Sequence, residues 1–201
     1  DLNNSSGNIV SNNIVALNSY GIGLRYSTKN TIRCNEVFKN EVHGISVGES
    51  KLNIITENNI TENENGINLA HRSSDNTFVG NTISKNQNGI KIHYSDGSII
   101  YHNSFINNTV NVPEDVYPNV NTWDDGYPSG GNYWSDYNGI DLYNGPGQNV
   151  TGSDGIGDTS HRLDARNEDR FPLKGPLSLF DVGAWNRTSY NVYICLLYTS
   201  P

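Results

Sequence analysis

The chain has 201 residues and a formal net charge of −8, so it is long enough for one domain of ordinary size. This acidic balance argues against a nucleic-acid partner, which would require clustered Lys and Arg. The sequence contains no apolar run of about 18 residues, the length that a membrane-spanning helix needs, so no such helix is predicted.

A short phrase recurs at a nearly fixed interval in the first half of the chain. The strings GIGL, GISV, GINL and GIKI begin at residues 21, 44, 66 and 89, at intervals of 23, 22 and 23 residues. The segments leading into them follow the pattern N-x-I-x-x-N-x-I-x-x-N. A fixed period of this length indicates a fold built from stacked repeats.

Each repeat predicts three short strands, because apolar residues alternate in short runs that Asn and Gly interrupt. No sustained helical stripe occurs in residues 1–112. We therefore predict an all-β fold, a right-handed parallel β-helix of about five coils of 22–23 residues over 1–112, with an irregular C-terminal cap. A leucine-rich repeat solenoid is the alternative, but its L-x-x-L-x-L consensus is missing and Leu is scarce.

Stacking of the coils would bring equivalent residues into columns. We expect an interior aliphatic column and a turn column of asparagines, whose amides can bond to one another and whose backbone tolerates the left-handed conformation. We also expect the glycine that opens each phrase to have a positive φ. The three columns are Ile22, Ile45, Ile67, Ile90; Asn40, Asn63, Asn86, Asn108; and Gly21, Gly44, Gly66, Gly89.

The period ends after residue 112, and the sequence becomes rich in Pro, Gly, Asp, Trp and Tyr. We predict that residues 113–175 cap the open end of the solenoid, which would otherwise expose apolar core and unpaired strand edges. The aromatic residues expected to plug this end are Trp123, Tyr133, Trp134 and Tyr137.

The two ends of the chain suggest a fragment of a larger multidomain protein. Its first residues already match part of a repeat, and residues 176–194 are predicted to be a linker or the start of the next segment. The final string CLLYTSP, residues 195–201, resembles the translation of a sequencing adapter, and we interpret it as an artefact of sequence assembly.

One turn column is a candidate ligand-binding surface. Tyr26, Glu49, His71 and Tyr94 share a register position on successive coils and would place flat rings and hydrogen-bonding groups along one outer edge. Aromatic faces pack against the C–H surfaces of sugars, and polar neighbours orient the hydroxyls. The alternative is that the tyrosines merely cover a turn.

The cap contains a candidate calcium site. The string SDGIGD places Asp154 and Asp158 four residues apart around two glycines, and Asp124 and Asp125 lie in the same acidic region. Calcium takes carboxylate and carbonyl oxygens, and Gly allows a loop to wrap around it. The alternative is that these aspartates form Asx-type turns, and the EF-hand spacing is missing.

The strings WDDGYPSGGNYWSDY, DGIGD and NEDRFPL resemble the C-terminal end of NosD-type right-handed β-helix proteins, above all the surface or secreted forms found in archaea. The repeats resemble the β-helix domain of carbohydrate-binding proteins and sugar hydrolases. The resemblance covers about residues 1–175. It implies either copper handling beside nitrous-oxide reductase or carbohydrate interaction at the cell surface.

Composition argues against copper, since the chain has no Met and its five His form no close sequence pair. His71 and His93 fall one column apart on neighbouring coils.

Hydrolysis of a polysaccharide would need a pair of carboxylates, and we identify no catalytic residue.

The favoured interpretation is a non-catalytic extracellular, cell-surface or periplasmic module. Its expected partner is a carbohydrate or a cell-envelope polymer. A polysaccharide lyase or hydrolase and a NosD-like periplasmic copper-accessory protein are the alternatives.

Overall fold

The computed structural model describes residues 1–115, 117 and 119–176, and within them the regular structure consists of strands. The repeat region contains fifteen short strands: β1 (Leu2–Asn3), β2 (Ile9–Ser11), β3 (Ile14–Ala16), β4 (Tyr20–Arg25), β5 (Thr31–Arg33), β6 (Glu36–Phe38), β7 (His43–Gly48), β8 (Ile54–Thr56), β9 (Asn59–Thr61), β10 (Asn65–Ala70), β11 (Thr77–Val79), β12 (Thr82–Ser84), β13 (Asn88–His93), β14 (Ile99–Tyr101) and β15 (Ser104–Ile106). The cap adds β16 (Tyr133–Trp134), β17 (Tyr143–Asn144), β18 (Val150–Thr151), β19 (His161–Arg162) and β20 (Glu168–Asp169).

Strands β1–β16 form three parallel sheets to which the successive coils contribute one strand each, and in the cap β17 pairs with β18 and β19 with β20 as antiparallel pairs. The first sheet has the order β1-β4-β7-β10-β13, the second β14-β11-β8-β5-β2 and the third β16-β15-β12-β9-β6-β3. Strands that are adjacent in a sheet are therefore one full coil apart in the sequence. This arrangement confirms the predicted all-β fold, a parallel β-helix of about five coils.

The apolar core runs along the axis of the coils. Ile22, Ile45, Ile67 and Ile90 pair in register on the first sheet and are buried, as the period predicts. The second and third sheets contribute two further buried columns. These are Ile32, Ile55, Phe78, Ile100 and Val37, Ile60, Ile83, Phe105.

Three asparagine ladders follow the turns of the solenoid. The predicted column is confirmed: the Asn40 backbone N–H donates to Asn63 Oδ1 at 3.0 Å, and the Asn63 N–H donates to Asn86 Oδ1 at 2.9 Å. The other two asparagines of the repeat pattern form equivalent ladders. These additional ladders are Asn8, Asn30, Asn53, Asn76 and Asn13, Asn35, Asn58, Asn81, Asn103.

The glycine column has a different cause from the one predicted. Gly21, Gly44, Gly66 and Gly89 do not have a positive φ, so that prediction is wrong. They are required because the coils approach closely: a Cβ added at Gly66 would lie 2.7 Å from the carbonyl oxygen of Gly89 and 2.8 Å from Asn86 Nδ2.

The left-handed conformation instead belongs to the residue before each ladder asparagine. Lys39, Glu62 and Lys85 have φ of 53°, 56° and 54°, while the asparagines that follow them do not have a positive φ. The expectation that Asn occupies the ladder because it tolerates this conformation is therefore wrong. Its role there is to bond the turns of adjacent coils to one another.

The cap continues the stacking beyond residue 112. Asn103 N–H donates to Asn132 Oδ1 at 3.0 Å, and Asn132 N–H donates to Asp169 Oδ2 at 2.7 Å, so one ladder gains two further members. Trp134 stacks on Phe105 with ring centroids 4.3 Å apart, and Trp123 is also buried. Tyr137 packs against the same core. Three of the four predicted aromatic residues therefore close the core, whereas half-buried Tyr133 is not part of that cluster.

The predicted segments 176–194 and 195–201 lie outside the described residues, apart from residue 176.

Candidate functional site

The four predicted ligand-binding residues occupy one edge of the solenoid. Tyr26, Glu49, His71 and Tyr94 each follow a strand of the first sheet and have φ between 50° and 56°. The backbone N–H groups of the first three donate to backbone carbonyl oxygens of the next coil in the sequence, at 3.2–3.3 Å. These hydrogen bonds hold the column in register. A left-handed residue at each turn directs successive side chains away from the core, so all four are exposed.

An open groove of about 700 Å³ lies along this edge. Glu49, His71 and Tyr94 line the groove, whereas Tyr26 is not among the residues that line it. The structure therefore brings three of the four predicted residues together. Tyr26 instead has the guanidinium of Arg25 5.2 Å from its ring centroid.

Residues that the repeat analysis missed complete the groove. Two tyrosine rings, Tyr94 and Tyr117, meet edge to face with centroids 4.9 Å apart, and they remain 45% and 43% exposed. The Arg72 guanidinium lies 5.6 Å from the centroid of Tyr94. Lys51 contributes a second cation from the adjacent coil. The groove therefore combines an aromatic platform with charged groups.

An insertion in the sequence could have identified the turn that carries Arg72. The segment from His71 to the ladder residue Asn76 has one residue more than the equivalent segment from Tyr26 to Asn30. Two consecutive left-handed residues, His71 and Arg72, accommodate the additional residue. Tyr117 gave no such signal, because it lies beyond the periodic region.

A histidine–aspartate pair supports one wall of the groove. His93 Nδ1 lies 3.0 Å from Asp115 Oδ2, and the His93 ring contacts Tyr117 with centroids 5.1 Å apart. Burial opposes ionisation of Asp115, but hydrogen bonds from Asn119, Tyr117 and His93 outweigh it and lower the pKa of this carboxyl. Asp115 thus fixes His93, and His93 in turn positions the Tyr117 ring.

The predicted calcium ligands are engaged in contacts within the cap. Asp124 forms an ion pair with Arg170 at 2.7 Å, and Asp125 accepts a hydrogen bond from Ser129 Oγ. Asp154 and Asp158 accept backbone hydrogen bonds from Ile156 and from Leu142 and Tyr143. Within the described residues, no three His, Cys, Asp or Glu side chains form a group suited to a metal ion. Calcium binding stays a prediction.

The stacked parallel sheets define this chain as a β-helix protein, and an open groove lies along one edge. A family model described as periplasmic copper-binding protein (NosD) matches residues 1–139, and the chain belongs to this family. The predicted resemblance to NosD-type β-helix proteins is confirmed over residues 1–139. Searches of curated proteins and of solved structures give no significant match.

The family description agrees with a periplasmic or extracellular location. In the part of the chain that the structure describes, no helix is long and apolar enough to cross a membrane. The described side chains do not fit a closed copper site, since they provide no group of three candidate ligands and the sequence has no Met. Two histidines, His71 and His93, lie near each other, with ring centroids 6.2 Å apart.

Proposed function

We propose that the protein is a non-catalytic carbohydrate-binding module that acts at the cell surface or in the periplasm. The observation that carries this proposal is the exposed Tyr94–Tyr117 platform inside an open groove. Sugar rings present C–H faces that pack on aromatic surfaces, and their hydroxyls require hydrogen-bonding neighbours. Glu49, His71 and Arg72 provide such neighbours beside the platform.

The open shape of the groove suits a polymer. Its lining residues come from successive coils, which stack about 4.8 Å apart. A polysaccharide lying parallel to the solenoid axis would therefore contact one turn after another. A cell-envelope or extracellular glycan is the partner class that this geometry favours.

A binding role is favoured over hydrolysis because of the number of carboxylates. Glu49 is the single carboxylate among the described residues that line the groove, and glycoside hydrolysis ordinarily uses a pair. Release of reducing sugars or of unsaturated products from a glycan panel would support the enzyme alternative instead.

The proposal is tested by glycan-array screening followed by calorimetry. We expect Tyr94→Ala to weaken glycan binding by about tenfold or more, since an aromatic anchor at the centre of a binding site dominates its affinity. Tyr143→Ala is the matched control, because this tyrosine is also exposed but lies on the cap hairpin. Equal binding by the two variants, or no binding by the wild-type protein, would contradict the proposal.

Copper binding is the second candidate, and it rests on the family description together with the proximity of His71 and His93. Titration with Cu(II) and with Cu(I) tests it. Stoichiometric sub-micromolar binding that His71→Ala and His93→Ala both abolish would favour copper. Loss of glycan binding in Tyr94→Ala without any copper binding would favour carbohydrate.

A further inference from the structure

The charges of the groove differ in sign from those of the whole chain. Its lining residues include two permanent cations, Lys51 and Arg72, and one carboxylate, Glu49, which gives +2 − 1 = +1 with His neutral. The complete chain carries −8. The lining itself thus presents more positive than negative charge to a ligand, although the chain as a whole is acidic.

Within residues 1–115, 117 and 119–176, Lys51 and Arg72 form no ion pair with an acidic side chain. Among the described residues, the ion pairs involve Lys39, His93, His161 and Arg170, but neither Lys51 nor Arg72. Both side chains are exposed on the groove. Their charges are therefore available to a ligand.

The nearby aspartates are already used within the protein. Asp96 accepts the Val120 backbone N–H at 2.7 Å, Asp75 accepts the Ser74 hydroxyl at 2.9 Å, and Asp115 contacts His93. These contacts fix the aspartates on the turns around the groove. Lys51 and Arg72 therefore do not have to break an ion pair with these aspartates when a ligand binds.

Arg72 stands beside the aromatic platform, with its guanidinium close to the Tyr94 ring. A planar guanidinium can form two parallel hydrogen bonds to a carboxylate or a sulfate. Lys51 adds a point charge from the preceding coil, about 4.8 Å away along the axis. One sugar ring on Tyr94 would thus place a ring substituent near Arg72, and the next unit would approach Lys51.

We propose that the ligand of this groove is an acidic glycan, whose carboxylate or sulfate groups bind Arg72 and Lys51 while its sugar rings pack on Tyr94 and Tyr117. This inference rests on the proposed carbohydrate-binding function and narrows it to one class of polymer.

The test compares three oligosaccharides of equal length, an oligouronate, a sulfated one and a neutral one, by calorimetry at low and at physiological salt. We expect the wild-type protein to bind one of the acidic oligosaccharides about tenfold more tightly than the neutral one. The preference should shrink as salt rises, because exposed charges are screened. The carboxylate and sulfate arms identify which anion is bound.

The variant Lys51→Gln/Arg72→Gln should lose this preference, because its affinity for the acidic oligosaccharide falls by about tenfold while its affinity for the neutral one falls by less. Lys39→Gln/Lys85→Gln is the control, since it removes the same charge from turns on another edge of the coils. Equal loss in both double variants would show a non-specific charge effect and overturn the inference.

Different results would overturn the acidic specificity and the carbohydrate-binding function. Binding of neutral and acidic oligosaccharides with equal affinity, still dependent on Tyr94, would overturn the acidic specificity and leave the carbohydrate function intact. Absence of binding to all three would overturn both.

Discussion

Single residues set how closely the coils approach one another. The glycines at 21, 44, 66 and 89 lie where the carbonyl of the next coil would be 2.3–2.7 Å from an added Cβ. Such a distance is shorter than any normal contact, and the backbone carbonyl cannot move aside as a flexible side chain can. The sequence shows where these glycines recur, but only the three-dimensional structure shows how close the neighbouring carbonyl lies.

Gly66→Ala tests this packing. The new methyl group would also meet Ile83 Cγ2 at 3.0 Å, so we expect the free energy of unfolding to fall by about 1–3 kcal/mol. Urea denaturation followed by circular dichroism measures the change. Gly48→Ala is the control, because no atom lies within 4 Å of its added Cβ. That variant should be neutral or more stable by up to about 1 kcal/mol, and similar losses in both variants would contradict the explanation.

At the scale of the structural element, the ladders hold the short strands together. A strand of three residues contributes few ladder hydrogen bonds, and the buried asparagines supply the remainder at the turns. The Asn58 amide donates to the carbonyl oxygens of Ile32 and Thr56 and to Asn81 Oδ1, while its own oxygen accepts from the backbone and side chain of Asn35. One side chain thus joins three consecutive coils.

Asn58→Ala should therefore be strongly destabilising. It would leave the Asn35 N–H and the Ile32 carbonyl buried without these partners, and each unsatisfied group costs about 1–3 kcal/mol. We expect a loss of about 3 kcal/mol in the free energy of unfolding, measured by urea denaturation. Asn58→Ser should be intermediate, because Ser98 accepts the Asn76 N–H at 3.3 Å in a natural ladder.

The matched control for the ladder is the adjacent residue Asn59, which is exposed on β9. Asn59→Ala should change stability by less than about 0.5 kcal/mol, as most exposed substitutions do. If the two alanine variants were equally stable, the ladders would not be the source of cohesion between coils.

For the whole molecule, periodicity allowed prediction of the sheets, one aliphatic column and one asparagine ladder, because each depends on residues one period apart. It also placed Glu49, His71 and Tyr94 on one edge. It placed His93 one column from His71, but it could not place Tyr117 beside them, since Tyr117 belongs to no repeat. Nor could it give the His93–Asp115 contact, which depends on how the chain turns after the last coil. In the same way, the link between Asn132 and Asp169 spans 37 residues of the cap and follows no period.

The cap gives global stability a pH dependence through Asp169. This carboxyl is fully buried, and burial raises its pKa to about 7, although it accepts hydrogen bonds from Asn132, Trp134 and Phe171. The folded protein therefore binds this proton more tightly than the unfolded chain does. The resulting stabilisation is complete below about pH 4 and is lost as the pH rises through about 7.

Asp169→Asn removes this titration while preserving an oxygen that can accept from Asn132. Relative to the variant, the wild-type protein should lose up to a few kcal/mol of unfolding free energy between pH 4 and pH 7.5. Urea denaturation of both proteins across this range measures the difference. Taking the difference cancels the opposing contributions of His43 and His161, whose pKa values burial lowers. Parallel profiles for the two proteins would contradict the assignment.

The left-handed turn positions have a consequence for how such a solenoid can diversify. Leu17, Tyr26, Glu49, His71 and Lys85 all adopt a conformation that ordinarily costs a side-chain-bearing residue about 1–2 kcal/mol. Chemically unrelated side chains tolerate it because the ladder asparagines, and Ser50, Ser73 and Ser95 at the equivalent turns, accept hydrogen bonds from the backbone of the adjacent coil. The identity of the side chain that points outward at such a turn therefore matters little for folding, so these surface positions can change in sequence while the solenoid is retained.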